Sequence, residues 1–275
     1  MRYEHYHRYA LASIWCADER VLDAACGEGY GSALLAESAR SVHGVDLSTA
    51  AIEHARRRYG EEASLQFSVA DVTDLPFAEN SFDRVVSFET LEHLTAHEDL
   101  VSEFRRVLRP EGMLLLSSPD KAIYTEKLGN QNEFHLRELY LEELQDLLGG
   151  SFPAVRILRQ KLMFHSVIWS GNAPTEVQFQ HIDTQAGLTE AGMAHDAVYF
   201  IALCAEQESY LPELGDQVWM FDDLEESVYA HYYHEIQKNM AAGALLAERE
   251  AEIEGLKLAL EAQRRPFWRR WIRRG

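Results

Sequence analysis

Along the first 120 residues, short apolar runs of strand length alternate with stretches of helical spacing. Val21-Leu22-Asp23-Ala24 predicts a buried strand, and the small and apolar run Ala33-Leu34-Leu35-Ala36 predicts the helix that follows it. Val42-His43-Gly44-Val45-Asp46-Leu47 predicts a second strand, followed by a helix from Ala50 to Tyr59 that Ser48 is placed to cap. A helix is expected to begin near Leu91. Ahead of these elements, Tyr6, Tyr9, Ala10, Ser13 and Ile14 recur at helical spacing and predict a helix over 1–17. Alternating strands and helices of this kind build a doubly wound α/β sheet whose ligand lies at the carboxyl ends of the strands.

The second half is less regular. Lys121 to Asn132 reads as a loop, and Leu141 to Leu148 as an amphipathic helix stopped by Gly149-Gly150. Strands are expected over 155–166 and 197–206, separated by a polar insertion that is a candidate lid. After a linker at Leu211 to Gly215, the stretch Leu224 to Arg265 is helix-prone. Leu246, Ile253 and Leu260 recur seven apart with Leu256 between them and Arg249 interrupting, which fits either a short two-stranded coiled coil or a helix folded back on the body. A coiled coil would make the chain a homodimer.

The turn Ala25-Cys26-Gly27-Glu28-Gly29-Tyr30-Gly31-Ser32 carries the first candidate chemistry. Gly27 and Gly29 let backbone approach a ligand, and Gly31 allows close packing of helix on strand. The turn has no Lys or Arg, lacks the Gly-Lys-Ser/Thr ending of a phosphate loop, and has Ser32 where a dinucleotide fingerprint places its third glycine. Asp46 ends the second strand, where a carboxylate accepts ribose hydroxyls. With Asp23 ahead of the turn, Asp46, the segment Val69-Ala70-Asp71-Val72-Thr73-Asp74-Leu75-Pro76-Phe77 and the fourth and fifth strand motifs in order, residues 21–120 resemble the class I S-adenosylmethionine-dependent methyltransferases, of the methyltransferase type 11 and ubiquinone-biosynthesis kind.

The resemblance implies a Rossmann-like seven-stranded sheet with an antiparallel last strand, here with a C-terminal helical extension. It implies S-adenosyl-L-methionine as cofactor. Asp23, Cys26, Gly27 and Gly29 would form the cofactor turn, Asp46 and Leu47 would meet the ribose side, Asp71 and Val72 the adenine, and Phe88 the crevice. An N-terminal helix in such enzymes folds over the cofactor. Arg8 would then meet the methionine carboxylate and Tyr9 wall the methyl group, unless these aromatics only pack the helix down. Cys26 reads as a small residue fitting tight backbone, not as a nucleophile.

Acceptor chemistry falls to Glu89, His93 and His135. The pair Glu92-His93 follows the fourth strand, and His93 is a candidate base, a hydrogen-bonding group near the methionine moiety, or a histidine satisfied by backbone at a helix start. Asn132-Glu133-Phe134-His135-Leu136-Arg137-Glu138 resembles the Asn-x-x-His-x-Arg-Glu stretch of methyltransferases of glycan and secondary-metabolite pathways. The acceptor expected is a sugar or glycan hydroxyl, with a quinone, a lipid or a natural-product small molecule as the alternative. A non-catalytic scaffold that binds the cofactor is a third reading. No metal ligand is assigned: His231, His234 and Glu235 fit a solvated helix face.

Composition narrows the picture at two points. The 275-residue chain has a formal net charge of −19, yet Arg264, Arg265, Arg269, Arg270, Arg273 and Arg274 crowd its end. The body is therefore strongly acidic, which disfavours nucleic acid as a partner. In the tail, Phe267, Trp268, Trp271 and Ile272 alternate with these arginines as in helices that lie on anionic membranes. The divisions expected are a methyltransferase domain over 1–206, a linker and helical extension over 207–263, and a basic amphipathic tail over 264–275. Three cysteines without metal or disulfide spacing, no apolar leader and no spanning run suggest a cytoplasmic protein, peripheral on the inner membrane.

Overall fold

The computed structural model describes residues 2–163, 165, 180–183, 187–190, 193, 195–222 and 227–264. Two compact units emerge, Met1–Gln217 and Val218–Gly275. The first runs beyond the expected boundary at 206 because the linker belongs to it: Leu211 is buried, and Arg156 donates to the Pro212 carbonyl.

The first unit opens with α1 (Arg2–Cys16), then β1 (Arg20–Ala24), α2 (Tyr30–Ala36), β2 (Ser41–Asp46), α3 (Thr49–Tyr59), β3 (Leu65–Val69) and β4 (Phe82–Phe88). It continues with α4 (His97–Val107), β5 (Leu108–Pro119), α5 (Leu141–Gly149), β6 (Ala154–Gln160) and, after the insertion, β9 (Tyr199–Ala205). These strands form a seven-stranded sheet in the order β3-β2-β1-β4-β5-β9-β6. β1 through β5 pair in parallel, and β9 is antiparallel to both β5 and β6. The fold class and the antiparallel last strand are as the motifs implied.

Both faces of the sheet are covered, so its central strands are largely buried and apolar, while the edge strands β3 and β6 carry exposed polar residues. On one face Leu22, Val85 and Leu114 pack with Leu100 and Phe104 of α4 and Leu144 and Leu148 of α5. On the other, Val21, Val86 and Leu115 pack with Ala12 and Cys16 of α1, Leu35 of α2 and Ile52 of α3. The chain moves outward from β1 in one direction and returns to β4 on its other side. That reversal opens a crevice at the carboxyl ends of β1 and β4, where an α/β sheet binds its ligand.

Local chemistry sets several boundaries. Ser48 caps α3 as expected, accepting from the Ala51 amide at 3.3 Å. The helix expected from Leu91 is instead a single 3₁₀ turn, Leu91–His93, and α4 begins only at His97. A continuous helix would need the Glu92 carbonyl to accept from Ala96; it accepts instead from the amides of Leu136 and Arg137, at 2.8 and 3.2 Å. The stretch read as a loop after β5 contains a π-helical turn, Ala122–Lys127, in which Leu128 N–H donates to the Ile123 carbonyl at 3.0 Å. The expected strands over 155–166 and 197–206 are shorter, and the described part of the insertion holds an antiparallel pair, β7 (Gln180–Asp183) and β8 (Gly187–Glu190). Its role as a lid falls largely outside the described residues.

The second unit contains α6 (Ser227–Arg264), a single helix of 38 residues on which Leu246, Ile253, Leu256 and Leu260 are exposed. The basic tail beyond Arg264 lies outside the described residues. No described helix is long and apolar enough to cross a membrane.

At the amino end of β4, Asp83 joins the start of β1 to the turn entering β5. It accepts from the Arg20 amide and Nε at 3.0 and 2.9 Å and from Arg109 Nη1 at 2.9 Å. Burial raises its pKa, but the bonds from Arg20 and the charges of Arg20 and Arg109 outweigh this and hold it below the ordinary aspartate value. A folded pKa below the unfolded one, about 3.9, gives stability that is complete above that pH and lost as pH falls through the folded value. Asp83→Asn should therefore cost about 2 kcal/mol at pH 7. Its stability should also fall less steeply than wild type on acidification below about pH 4, as urea unfolding at a series of pH values would show.

Candidate functional site

The turn between β1 and α2 is shaped by a buried acid. Asp23 is fully buried and accepts from the Tyr9 hydroxyl at 3.0 Å and from Ser32 Oγ at 2.6 Å. Burial pushes its carboxyl up to about 6 against the pull of these two bonds. Ala25, Gly27 and Gly29 take left-handed backbone, with φ of 62°, 54° and 82°. A Cβ on Gly31 would lie 2.0 Å from Tyr9 Cζ, whereas one on Gly27 would meet nothing within 4 Å. Gly27 thus leaves open space over the turn, and Gly31 is the seat of the Tyr9 ring. Tyr9 is buried against Phe88 and Tyr30, at ring separations of 5.1 and 5.7 Å. Its ring docks α1 on the turn, the packing alternative of the two weighed from sequence. Burial pushes the Cys26 thiol far up, which suits its reading as a structural residue.

Asp46 faces the same turn. Its Oδ2 accepts the Gly27 amide at 2.9 Å and its Oδ1 the Ser48 amide at 2.8 Å, and each oxygen keeps a second lone pair. Beside it the Leu47 side chain is 71% exposed, an apolar surface at the mouth of the crevice. Asp71 binds the Thr73 amide and hydroxyl through Oδ1 at 2.9 and 2.7 Å, bonds that hold its carboxyl below the usual range. The Val72 side chain points into the core, so only its backbone is placed to face a ligand.

Arg8 brings the N-terminal helix to the far strands. Its guanidinium is buried and contacts Gln160 Oε1 at 2.6 Å, Ser117 Oγ at 3.2 Å and Glu89 Oε1 at 3.0 Å, with Tyr199 stacked 4.5 Å away. Its Nη2 has no hydrogen-bond partner among the described residues. An open glycine turn, a carboxylate with free lone pairs, an exposed leucine and an orphaned guanidinium donor along one crevice fit a zwitterionic adenosine ligand: adenosine on the Asp46 side, a carboxylate on the Arg8 side.

Glu89 sits where β4 ends, in left-handed backbone with φ of 53°, a conformation unfavourable for a side chain of its kind. The strained residue is fixed by Ser117, whose Oγ accepts its amide at 3.0 Å and donates to its Oε1 at 2.8 Å. Burial raises its pKa, opposed by the charge of Arg8.

Next to it, Glu92, His93 and His135 present ligand-type atoms that all lie within 4.8 Å of one another. His93 Nδ1 is 2.8 Å from the Phe134 carbonyl, and His135 Nδ1 is 2.5 Å from Glu138 Oε1. The two rings meet edge to face at 5.1 Å, and Tyr124 stacks on His135 at 5.4 Å. Glu138 is itself held by Thr125 Oγ1 at 2.5 Å. Glu92 is buried with no partner for either carboxylate oxygen among the described residues. Burial, then the neighbouring charge of Glu89, pushes it up to about 9. His135 also lines a cavity of about 750 Å³ whose walls include Asn130, Asn132, Thr125 and Lys121.

The candidates from sequence therefore separate into two groups. Gly27, Asp46, Leu47 and Asp71 border the cofactor crevice, with Asp23, Cys26, Gly29, Val72 and Phe88 shaping it from behind. Glu89, His93 and His135 come together beyond the end of β4. Sequence reasoning gave no role to Ser117, Gln160, Tyr199, Tyr124 or Glu138. The spacing of His135 and Glu138, one helical turn apart, was the only local signal among them.

Residues 22–116 match the family model described as a methyltransferase domain. A probable S-adenosylmethionine-dependent methyltransferase of Mycolicibacterium smegmatis is 41% identical over 134 residues, 48% of this chain and 51% of that protein. The demethylmenaquinone methyltransferase of Clavibacter sepedonicus is 39% identical over 100 residues, 36% of this chain and 41% of that one. The chain spans about half the length, or less, of these curated relatives. Among solved structures, a possible histamine N-methyltransferase of Thermotoga maritima aligns with a TM-score of 0.54 at 19% identity, over 75% of this chain and 90% of its own; it shows the shared fold.

The Tyr9–Gly31 contact is open to direct test. Gly31→Ala must displace the Tyr9 ring and with it the bond to Asp23, so a loss of about 1–3 kcal/mol is expected in chemical unfolding. In a Tyr9→Ala background most of that loss should vanish, because the clashing partner is gone; a double-mutant cycle measures the coupling.

Proposed function

We propose that the chain is a class I S-adenosylmethionine-dependent methyltransferase, on the match of residues 22–116 to a methyltransferase domain, and that it transfers a methyl group to a hydroxyl of a sugar or glycan acceptor. The observation that carries the acceptor reading is the imidazole of His135. It is oriented by Glu138, lines a cavity walled by amide and hydroxyl side chains, and stands beside the carboxylates at the end of β4.

The bound cofactor supplies an activated methyl group on a sulfonium centre. The protein's own residues then have to bind, orient and exclude water, which supplies much of the acceleration when two reactants are held in line. Asp46 offers carboxylate lone pairs to the ribose hydroxyls, Asp71 its Oδ2 to the adenine amino group, and Arg8 its free Nη2 to the methionine carboxylate. Tyr9 and Asp23 keep α1 closed over the turn. A sugar hydroxyl attacks poorly while it keeps its proton, and the cluster of His93, His135 and Glu92 is where that proton is drawn away.

The relative named for demethylmenaquinone raises a quinone acceptor as a second reading. The amides of Asn130, Gln131 and Asn132 on the cavity wall offer hydrogen bonds to a hydroxylated ligand, beside the exposed apolar side chains of Phe134 and Leu136. The arginine- and tryptophan-rich tail supports an acceptor held at an anionic membrane surface, such as a lipid-linked saccharide.

Titration calorimetry with the cofactor should show binding to the full chain weakened by at least about tenfold in Asp46→Ala, since charged hydrogen bonds are worth about 1.5–3 kcal/mol each. His135→Ala should bind the cofactor normally but lose turnover. The acceptor is tested with methyl-labelled cofactor and separated membrane, polysaccharide and small-molecule fractions. Label in saccharide supports the proposal, label in a quinone replaces it, and intact binding without label in any fraction means a non-catalytic binder.

A further inference from the structure

Glu92 poses a problem that the proposed reaction alone does not solve. Its carboxylate is buried, and neither oxygen has a partner among the described residues, although a buried charge without compensation costs several kcal/mol. The charge of Arg8 acts on Glu92 but is outweighed by burial and the charge of Glu89, and the Nε and Nη1 of Arg8 are bonded to Gln160, Ser117 and Glu89. A protonated Glu92 would still carry an unpaired O–H.

The two imidazoles beside it are held in one particular tautomer. A carbonyl oxygen accepts and cannot donate, so His93 must carry its proton on Nδ1 to bond Phe134. His135 likewise donates Nδ1–H to the Glu138 carboxylate. A neutral ring held in this way presents the Nε2 lone pair, and nothing in the hydrogen-bond network of the described residues uses either Nε2. An imidazole whose Nδ1–H is held by a carbonyl or carboxylate is the arrangement found behind metal-ligating histidines, where the outer acceptor fixes ring and tautomer. Ligands about 2.1 Å from a common ion stand about 3–4 Å apart. One ligand-type atom from each of Glu92, His93 and His135 lies within 4.8 Å of the other two, close enough for side-chain rotation to bring the three residues onto one ion.

We propose that Glu92, His93 and His135 bind one divalent transition-metal ion. Two neutral imidazoles and one carboxylate suit Zn²⁺, Co²⁺ or Mn²⁺ and are poor ligands for Ca²⁺ or Mg²⁺, which prefer all-oxygen shells. Three protein ligands leave at least one coordination position, and His135 lies on the wall of the polar cavity. The ion supplies the missing counter-charge to Glu92. Its consequence for catalysis rests on the hydroxyl-acceptor reading. With both imidazoles holding the ion, an acceptor hydroxyl at the open position would be made more acidic and would lose its proton to water, the ion taking the place of a histidine base. The oxygen then forms its bond to the methyl carbon as the carbon–sulfur bond breaks, with the electron pair passing to sulfur and S-adenosylhomocysteine leaving.

The test is titration of the full chain, freed of metal by chelator and dialysis, with Co²⁺, read by visible ligand-field absorption. One equivalent should bind and produce bands in the visible region. Glu92→Gln, His93→Gln and His135→Ala should each weaken binding by at least about tenfold. Glu138→Gln should weaken it by less than any of these three substitutions, through the outer bond to His135. Circular dichroism and cofactor titration on the same samples show whether each variant is folded. Visible bands absent from the folded wild type, or an affinity that none of the substitutions changes, overturn the site. If Co²⁺ binds as expected but chelator leaves methyl transfer intact, the site stands and its catalytic role fails. Transfer without any Co²⁺ site keeps the methyltransferase reading and removes the metal.

Discussion

A fully buried guanidinium is the constraint around which the crevice is organised. Arg8 cannot shed its charge, so the fold must bring acceptors to it. They come from the end of β4 (Glu89), from β5 (Ser117) and from β6 (Gln160), with the Tyr199 ring of β9 against its face. Gln160 also donates to the Glu4 carbonyl at 3.0 Å, tying a second point of α1 to the sheet. A helix that would otherwise be a loosely docked N-terminal segment is thereby fixed across the strand ends, and the ligand crevice acquires a roof. Removing one member of such a group leaves the others as uncompensated buried charges, which is why these pairs are costly to break.

Left-handed backbone also occurs at this end of the sheet, as it does before β1 at Asp18 and before β4 at Asn80. Within a regular sheet, left-handed residues occur at Ala25, Gly27 and Gly29 after β1 and at Glu89 after β4. These are the two strands that flank the topological switch point. Strained residues persist where surrounding contacts over-determine them. Here the contacts are Asp23 with Tyr9 and Ser32 for the first turn, and Ser117 for Glu89. The strain re-aims one backbone stretch toward the cofactor side and one carboxylate toward Arg8.

The acceptor side combines three glutamates and two histidines in a small volume. Glu89 is neutralised by Arg8, and Glu138 serves as the outer acceptor for His135. Glu92 alone lacks a compensating group. The loop from Asn132 to Glu138 is held over this cluster by backbone bonds to the Glu92 carbonyl, the same bonds that prevent a helix from starting at Leu91. Thus the feature that departs most clearly from the sequence expectation is also the one that assembles this cluster.

Much of the fold was legible in the chain because its signals are local. The apolar runs Val21-Leu22 and Val85-Val86, the Ser48 cap, the turn glycines and Asp46 all act within a few residues of themselves, so periodicity and composition expose them. The helix near Leu91 and the loop after Pro119 were misread because distant backbone groups decide where their hydrogen bonds go. The site partners were hidden for the same reason: Arg8 meets Gln160 across 152 positions and Ser117 across 109, and no pattern of hydrophobicity encodes such a meeting. Sequence alone determined the sheet, its cofactor turn and the kind of side chain available for chemistry. Tertiary structure decided which of those side chains are paired and which are left without a partner, because burial and long-range packing set that balance.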